Sequence, residues 1–133
     1  MRFILVLVST MLFLTCTPVQ ATEILCQMTS WFDTDNRSGS ADFNFTLNFS
    51  EANGRISNWY ISTECQYGQA WLNGNSIMVS CENNNKLYGN NGTYERLYDI
   101  NRYSGYVSII GKFKNGGAVS VYEGNCGAAI RKF

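Results

Sequence analysis

The chain has 133 residues, with ten Lys and Arg balanced by ten Asp and Glu and no His. Its length suits one domain, and without a basic run it lacks the electrostatic footprint of a nucleic-acid binder. The missing His removes the commonest general base, and with it the Ser-His and Cys-His nucleophile pairs.

Residues 1–21 have the layout of a secretory signal peptide. Arg2 is the positive start, and Phe3 to Leu14 is an apolar run broken only by Ser9 and Thr10. Val19-Gln20-Ala21 is a cleavage site with small residues at its first and third positions. The apolar run is shorter than the ~20 residues that span a bilayer. Removing 21 residues from 133 leaves 112, with a net charge of about −1 once Arg2 is gone. No later stretch is apolar enough to be a transmembrane segment. The expected product is a secreted or periplasmic single domain, 22–133. Leu14-Thr15-Cys16 has some likeness to a lipobox, but Thr15 is a poor residue before a modified Cys. A lipid anchor at Cys16 is therefore the lesser alternative.

Cys26, Cys65, Cys81 and Cys126 remain after cleavage, an even set that reads as two disulfides in an exported domain. A hairpin centred on Asn73 would set Cys65 directly opposite Cys81. Opposed residues of antiparallel strands lie ~4.5–5.5 Å apart, within disulfide reach. Cys26 and Cys126 are then left to tie the first mature strand to the last. Wide Cys spacings and the missing His argue against a zinc site.

Ile24 to Trp31 is the first expected strand, followed by a polar loop from Asp33 to Ala41. Asp33-Thr34-Asp35-Asn36 invites a calcium reading, but Arg37 and Ser38 stand at the fifth and sixth positions, so the EF-hand spacing fails. Phe43, Phe45, Leu47 and Phe49 then alternate with Asn44, Thr46, Asn48 and Ser50, the period of a half-buried strand. The return strand carries Ile56, Trp59 and Ile61. A three-residue loop, Ala52-Asn53-Gly54, would set Phe49, Leu47 and Phe45 opposite Ser57, Trp59 and Ile61, gathering the large apolar groups on one face. Glu51 would then face Arg55. The alternative is a two-residue turn at Asn53-Gly54.

Further strands are expected at Gln69 to Leu72 and at Ser76 to Glu82, where Ile77, Val79 and Cys81 point inward. Asn83 to Gly92 reads as a long polar loop. Thr93 to Asn101 has no clean face, because Tyr94, Arg96, Tyr98 and Ile100 alternate with Thr93, Glu95, Leu97 and Asp99; it suits an edge or a strand wet on one side. Arg102 to Gly105 is a turn. Tyr106 to Lys112 and Ala118 to Cys126 form a last hairpin, and Gly127 to Phe133 a short tail. The fold class is all-β: an antiparallel meander of seven or eight strands, closed as a barrel in preference to a sandwich.

The C-terminal third carries Asp99-Ile100-Asn101-Arg102-Tyr103-Ser104-Gly105, then Tyr122-Glu123-Gly124-Asn125-Cys126, then Arg131-Lys132-Phe133. In these motifs it resembles a group of small exported bacterial β proteins of unknown function. The resemblance implies a signal peptide, a small β fold and a place in the bacterial envelope or outside the cell. It implies no catalytic residues.

The function expected from the residues is a non-catalytic binding module for a protein or glycan partner in the envelope. It would be a monomer that needs no cofactor, with contacts from the two polar loops. Trp31, Trp59, Trp71, Tyr88 and Tyr94 are the aromatic candidates. Trp59 belongs to the core in the favoured register, and Trp31, Trp71 and Tyr88 are singled out for contact, since exposed rings stack on sugars or enter a partner's groove. Arg102 is the candidate charged contact; its plainer role is a local pair with Asp99. An inhibitor or immunity-type protein for an envelope hydrolase is one alternative. A small-ligand carrier is another, against which the many Phe and Tyr argue by filling the interior. Asp33, Asp35, Asp42, Glu64 and Glu82 could supply the two carboxyls of a carboxylate-dependent hydrolase, but nothing in the sequence brings two of them together.

The intact, unreduced protein from its host should have the mass of residues 22–133 less four hydrogens and take up no alkylating agent. Free thiols would undo the disulfide framework, and added diacylglycerol would move the anchor to Cys16.

Overall fold

The computed structural model describes residues 20–85, 92–114 and 116–127. Residues 1–19, which hold all but the last two positions of the expected signal peptide, Tyr88 and the tail beyond Gly127 lie outside them. Eight antiparallel strands form one sheet: β1 (Gln20–Asp33), β2 (Ser38–Ala52), β3 (Arg55–Ile61), β4 (Tyr67–Asn73), β5 (Ser76–Asn85), β6 (Gly92–Asn101), β7 (Tyr106–Phe113) and β8 (Ser120–Cys126). Their order is β3-β2-β1-β8-β7-β6-β5-β4. Every hairpin pairs with its neighbour in sequence, and β1 pairs with β8, so the meander wraps into a nearly closed barrel. The seam lies between β3 and β4, which touch without a ladder.

Alternation builds the core. Ile24, Met28, Phe45, Leu47, Phe49, Ile61, Ile77, Val79, Tyr98, Ile100, Val107 and Ile109 point inward and are buried. Eight strands make an interior about as wide as such side chains can fill. Cys26 lies opposite Cys126 in the β1–β8 ladder, and their disulfide locks the closure.

The central hairpin departs from the expected three-residue loop. Ala52 pairs with Arg55 around a two-residue turn, in which Asn53 and Gly54 both have positive φ, 54° and 72°. That turn matches the twist of the flanking strands, and Gly54 adopts it without a Cβ clash. The apolar face is rescued by a bulge instead. Ser50 pairs with Ser57 but Asn48 with Tyr60, so Phe49 faces both Asn58 and Trp59. Asn58 takes the strain at φ 49°. Ile56, Trp59 and Ile61 all turn toward the core, and Tyr60 is left 64% exposed. Glu51 consequently stands opposite Ile56, not Arg55.

The second disulfide is Cys65–Cys81 as expected, but the hairpin expected to produce it is not formed. Leu72 pairs with Ile77 and Gly68 with Cys81, three residues out of the expected register. Cys65 precedes β4 and reaches Cys81 by crossing over Gly68. A Cβ on Gly68 would lie 2.7 Å from the Cys65 sulfur, 2.6 Å from the Trp59 ring and 2.8 Å from the Ser80 carbonyl oxygen.

Both polar loops are shorter than expected. Ser38 to Ala41 belongs to β2, leaving Thr34–Arg37 as a tight turn; Asn83–Asn85 and Gly92 are paired strand residues. Thr93–Asn101 is an inner strand between β5 and β7, not an edge. Gly68→Ala should destabilise the protein by ~1–3 kcal/mol, the range for overpacking a filled site, read as a lower urea midpoint with the disulfide intact.

Candidate functional site

The two ends of the barrel differ. At the end bearing the Asn53-Gly54 turn, the core runs up to an ion pair: Arg102 Nη2 meets Glu51 Oε2 at 2.8 Å, and Nη1 meets Oε1 at 3.3 Å. Both side chains are mostly buried. Two Asn101 Oδ1 hydrogen bonds, from the Tyr103 and Ser104 amides, hold the turn that presents Arg102. The expected local partner of Arg102, Asp99, is not the one used. Glu51 continues the inward alternation of Phe45, Leu47 and Phe49 on β2, which brings it within reach of Arg102 just past β6.

The opposite end is open. A cavity of about 440 Å³ enters the barrel there. Tyr98 and Ile109 form its floor, and Phe43, Tyr94, Phe113 and Tyr122 its walls. Arg96, Asn83, Glu64, Ser120 and Ala118 complete the lining. Phe43 follows the inward alternation of β2 and still is 38% exposed, because no described residue fills the space in front of it. The expectation that aromatics fill the interior therefore holds only for the closed half.

Local sequence explains the opening. Gly111 is opposite Arg96 on the inward face of β7, and Gly92 holds an inward place on β6. A Cβ on Gly111 would lie 2.0 Å from the Tyr94 hydroxyl oxygen, so the absent side chain is what lets Tyr94 lean over it. Tyr94 meets Phe113 ring to ring at 4.9 Å, and Phe43 meets Tyr122 edge-on at 5.3 Å. Tyr98 packs edge-on against Phe45 at 5.2 Å, and its hydroxyl lies 2.9 Å from Thr63 Oγ1. Burial raises the Tyr98 pKa, offset in part by the Thr63 hydrogen bond and the Arg96 charge. Tyr98 is thus a neutral hydroxyl at neutral pH.

Arg96 is the one charge on the inward face of β6. Nη2 donates to the Glu64 carbonyl, and Cζ stands 5.7 Å from the Tyr98 ring centroid. Nε is fully buried without a hydrogen-bond partner. Among the described residues, no carboxylate lies within ion-pair distance of Arg96. Asn83 fixes the backbone that Arg96 touches: its Oδ1 accepts from Gln66 N at 2.7 Å and its Nδ2 donates to Glu64 O at 2.8 Å.

The other charges near this end are spoken for. Asp33 caps its turn by accepting from the amides of Asp35 and Arg37 and from Arg37 Nε at 2.8 Å. Burial raises the Asp33 pKa, but those hydrogen bonds and the guanidinium outweigh it and hold the carboxyl below its ordinary value. Lys114 pairs with Glu82 and Glu95, and Lys112 with Glu95. A second depression on the outer wall, about 420 Å³, is lined by Leu97, Ile110 and Val119 between those paired charges.

The residues singled out from the sequence are not brought together. Trp31 is half-buried near the mouth, laid against Gly39, where a Cβ would be 2.7 Å from its Nε1. Trp71 is on the outer face, 39% exposed and opposite Met78. Arg102 is at the closed end. Of the mouth residues, Tyr94 is among the aromatic candidates of the sequence, whereas Phe43, Arg96, Phe113 and Tyr122 are not among its candidates. The signal was the Tyr-x-Arg-x-Tyr alternation of β6, an Arg on an aromatic inward face.

Comparison with protein-family models, curated proteins and solved structures gave no match to this chain.

Arg102→Met should lower stability by ~1–3 kcal/mol, the worth of a charge-assisted hydrogen bond with its partner left behind. A double-mutant cycle with Glu51→Gln in urea unfolding should recover a favourable coupling. Ligand binding at the opposite end should not change.

Proposed function

We propose that this chain is a non-catalytic binding module that holds a small, partly apolar ligand in the mouth of its barrel. The observation that carries this reading is the unfilled aromatic mouth: side chains that alternate inward as core residues enclose space instead of each other. Its volume lies in the range of small-molecule pockets, ~300–1,000 Å³, and its lining has their composition, mostly aromatic with a few convergent polar groups. Such a site binds by burying the ligand's apolar area, at ~25 cal/mol per Å² before ordering costs.

An exported setting, periplasmic or extracellular, belongs to the same proposal. It is supported by the two disulfides, which persist in oxidising compartments. No helix among the described residues is long and apolar enough to cross a membrane. Binding through the first of the two expected loops has less support, since the β1–β2 connection is a tight turn; the β5–β6 connection, 86–91, lies outside the described residues. The tight β1–β2 turn also weighs against an inhibitor that inserts that loop into an enzyme's cleft.

The neutral fluorophore N-phenyl-1-naphthylamine should bind the folded, oxidised protein at one site and raise its melting temperature. Ala118→Trp, placed at the rim outside the strands, should weaken that binding at least about tenfold, which is ~1.4 kcal/mol, without moving the unfolding midpoint. Absence of binding, or binding indifferent to the Trp, would refute the reading.

A further inference from the structure

We infer that the ligand taken at the mouth is a small monocarboxylic acid with an aromatic body, its carboxylate received by Arg96. This rests on the mouth being a ligand site, and adds the chemical class. A guanidinium offers five N–H donors in a planar fork and cannot shed its proton. Arg96 spends one donor on the Glu64 carbonyl and leaves a fully buried Nε with none. The guanidinium is half-buried with an enclosed, unsatisfied Nε and no carboxylate in ion-pair reach among the described residues, and a ligand carboxylate would supply both a countercharge and paired acceptors.

The remaining groups narrow the class. Among the described residues, the other cations near this end are paired: Arg37 with Asp33, and Lys112 and Lys114 with Glu82 and Glu95. Arg96 is the single cation of the lining and has no carboxylate within ion-pair distance among the described residues, which suits a monoanion and disfavours a phosphate dianion. The walls select the body. Phe43 and Tyr122, and Tyr94 and Phe113, stand as ring pairs about the opening, and a flat aromatic group adds edge and face contacts to them. Arg96 itself is positioned rather than loose: Tyr98 lies under its guanidinium and Asn83 fixes the Glu64 backbone that it touches.

The test uses the oxidised protein and three probes of one shape: 2-naphthoate, 2-naphthamide and 2-naphthylmethylamine, titrated by calorimetry. The naphthoate should bind the wild type at least about tenfold more tightly than the amide, and the amine most weakly. Arg96→Met should cost the naphthoate about tenfold or more and leave the amide unchanged. Arg96→Lys should recover part of the loss, because it keeps the charge without the fork. Equal binding of naphthoate and amide, or tightest binding of the amine, would overturn the carboxylate assignment while the mouth remained a binding site. If N-phenyl-1-naphthylamine and all three probes fail to bind, the ligand site itself is refuted. Should Arg96→Met not fold, the wild-type ranking of the three probes decides alone.

Discussion

The barrel depends on how its seam is shut. Seven of the eight interfaces around the cylinder are hydrogen-bonded ladders, and the eighth, β3 against β4, is not. Two open edges facing each other would expose unpaired backbone groups. Side chains close the gap instead. Trp59 from β3 lies on Gly68 of β4, and Cys65 crosses the same glycine to reach Cys81 on the next strand. Ser62 and Asn83 pin the connecting backbone from either side, through Thr46 N at 2.8 Å and Gln66 N at 2.7 Å. The Cys65–Cys81 bond closes a short loop and Cys26–Cys126 spans 100 positions. Loop entropy alone assigns ~3 and ~4.7 kcal/mol to crosslinks of such lengths. One bond fastens the seam and the other fastens the ladder where the chain's first and last strands meet.

A cylinder closed this way has a fixed bore, and the inward residues decide how much of it is filled. Toward the Asn53-Gly54 turn they are Phe49, Ile77, Ile100 and Val107, all buried, with Glu51 and Arg102 above them. Toward the other end the inward places pass to Gly92, Gly111, Asn83 and Ser120, and the bore empties. The seam serves the opening as well. The Asn83 side chain that pins the β3–β4 connection also holds the Glu64 carbonyl against which Arg96 rests. The mouth is thus part of the same construction that closes the sheet.

Class and crosslinks were legible in the sequence because both are local or combinatorial signals. The Phe43–Phe49 alternation needs only its own strand, and four Cys permit few pairings. Register was not legible where a bulge intervened. A strict period of two cannot place Ile56, Trp59 and Ile61 on one face, so the reading chose a longer loop; the chain inserts Asn58 instead. The Cys65–Cys81 pairing came out correctly from a register three residues wrong, since a sulfur crossing over a glycine has no periodic signature. The site was hidden for a different reason. Phe43, Arg96 and Tyr122 look like unrelated members of three strands until closure joins them. Arg102 looked like a turn residue because its partner is 51 positions away.

The two arginines at opposite ends of this barrel make the functional argument in miniature. Both project from the chain of β6 or its following turn, and both are drawn in from solvent. Arg102 meets a carboxylate that the chain itself provides, so its charge is spent on closing an end. Arg96 meets a backbone carbonyl and an aromatic face, which orient it but leave its charge uncompensated. Arg96 is only partly withdrawn from water, but its enclosed Nε lacks a hydrogen-bond partner, and a donor left so costs ~1–3 kcal/mol. A chain that needed Arg96 only for packing would be better served by Met or Leu among those aromatics. Keeping a guanidinium there, clear of every carboxylate among the described residues and beside an open cavity, is a cost that stability does not require. Occupation of the mouth by an anion is the state in which that cost is recovered.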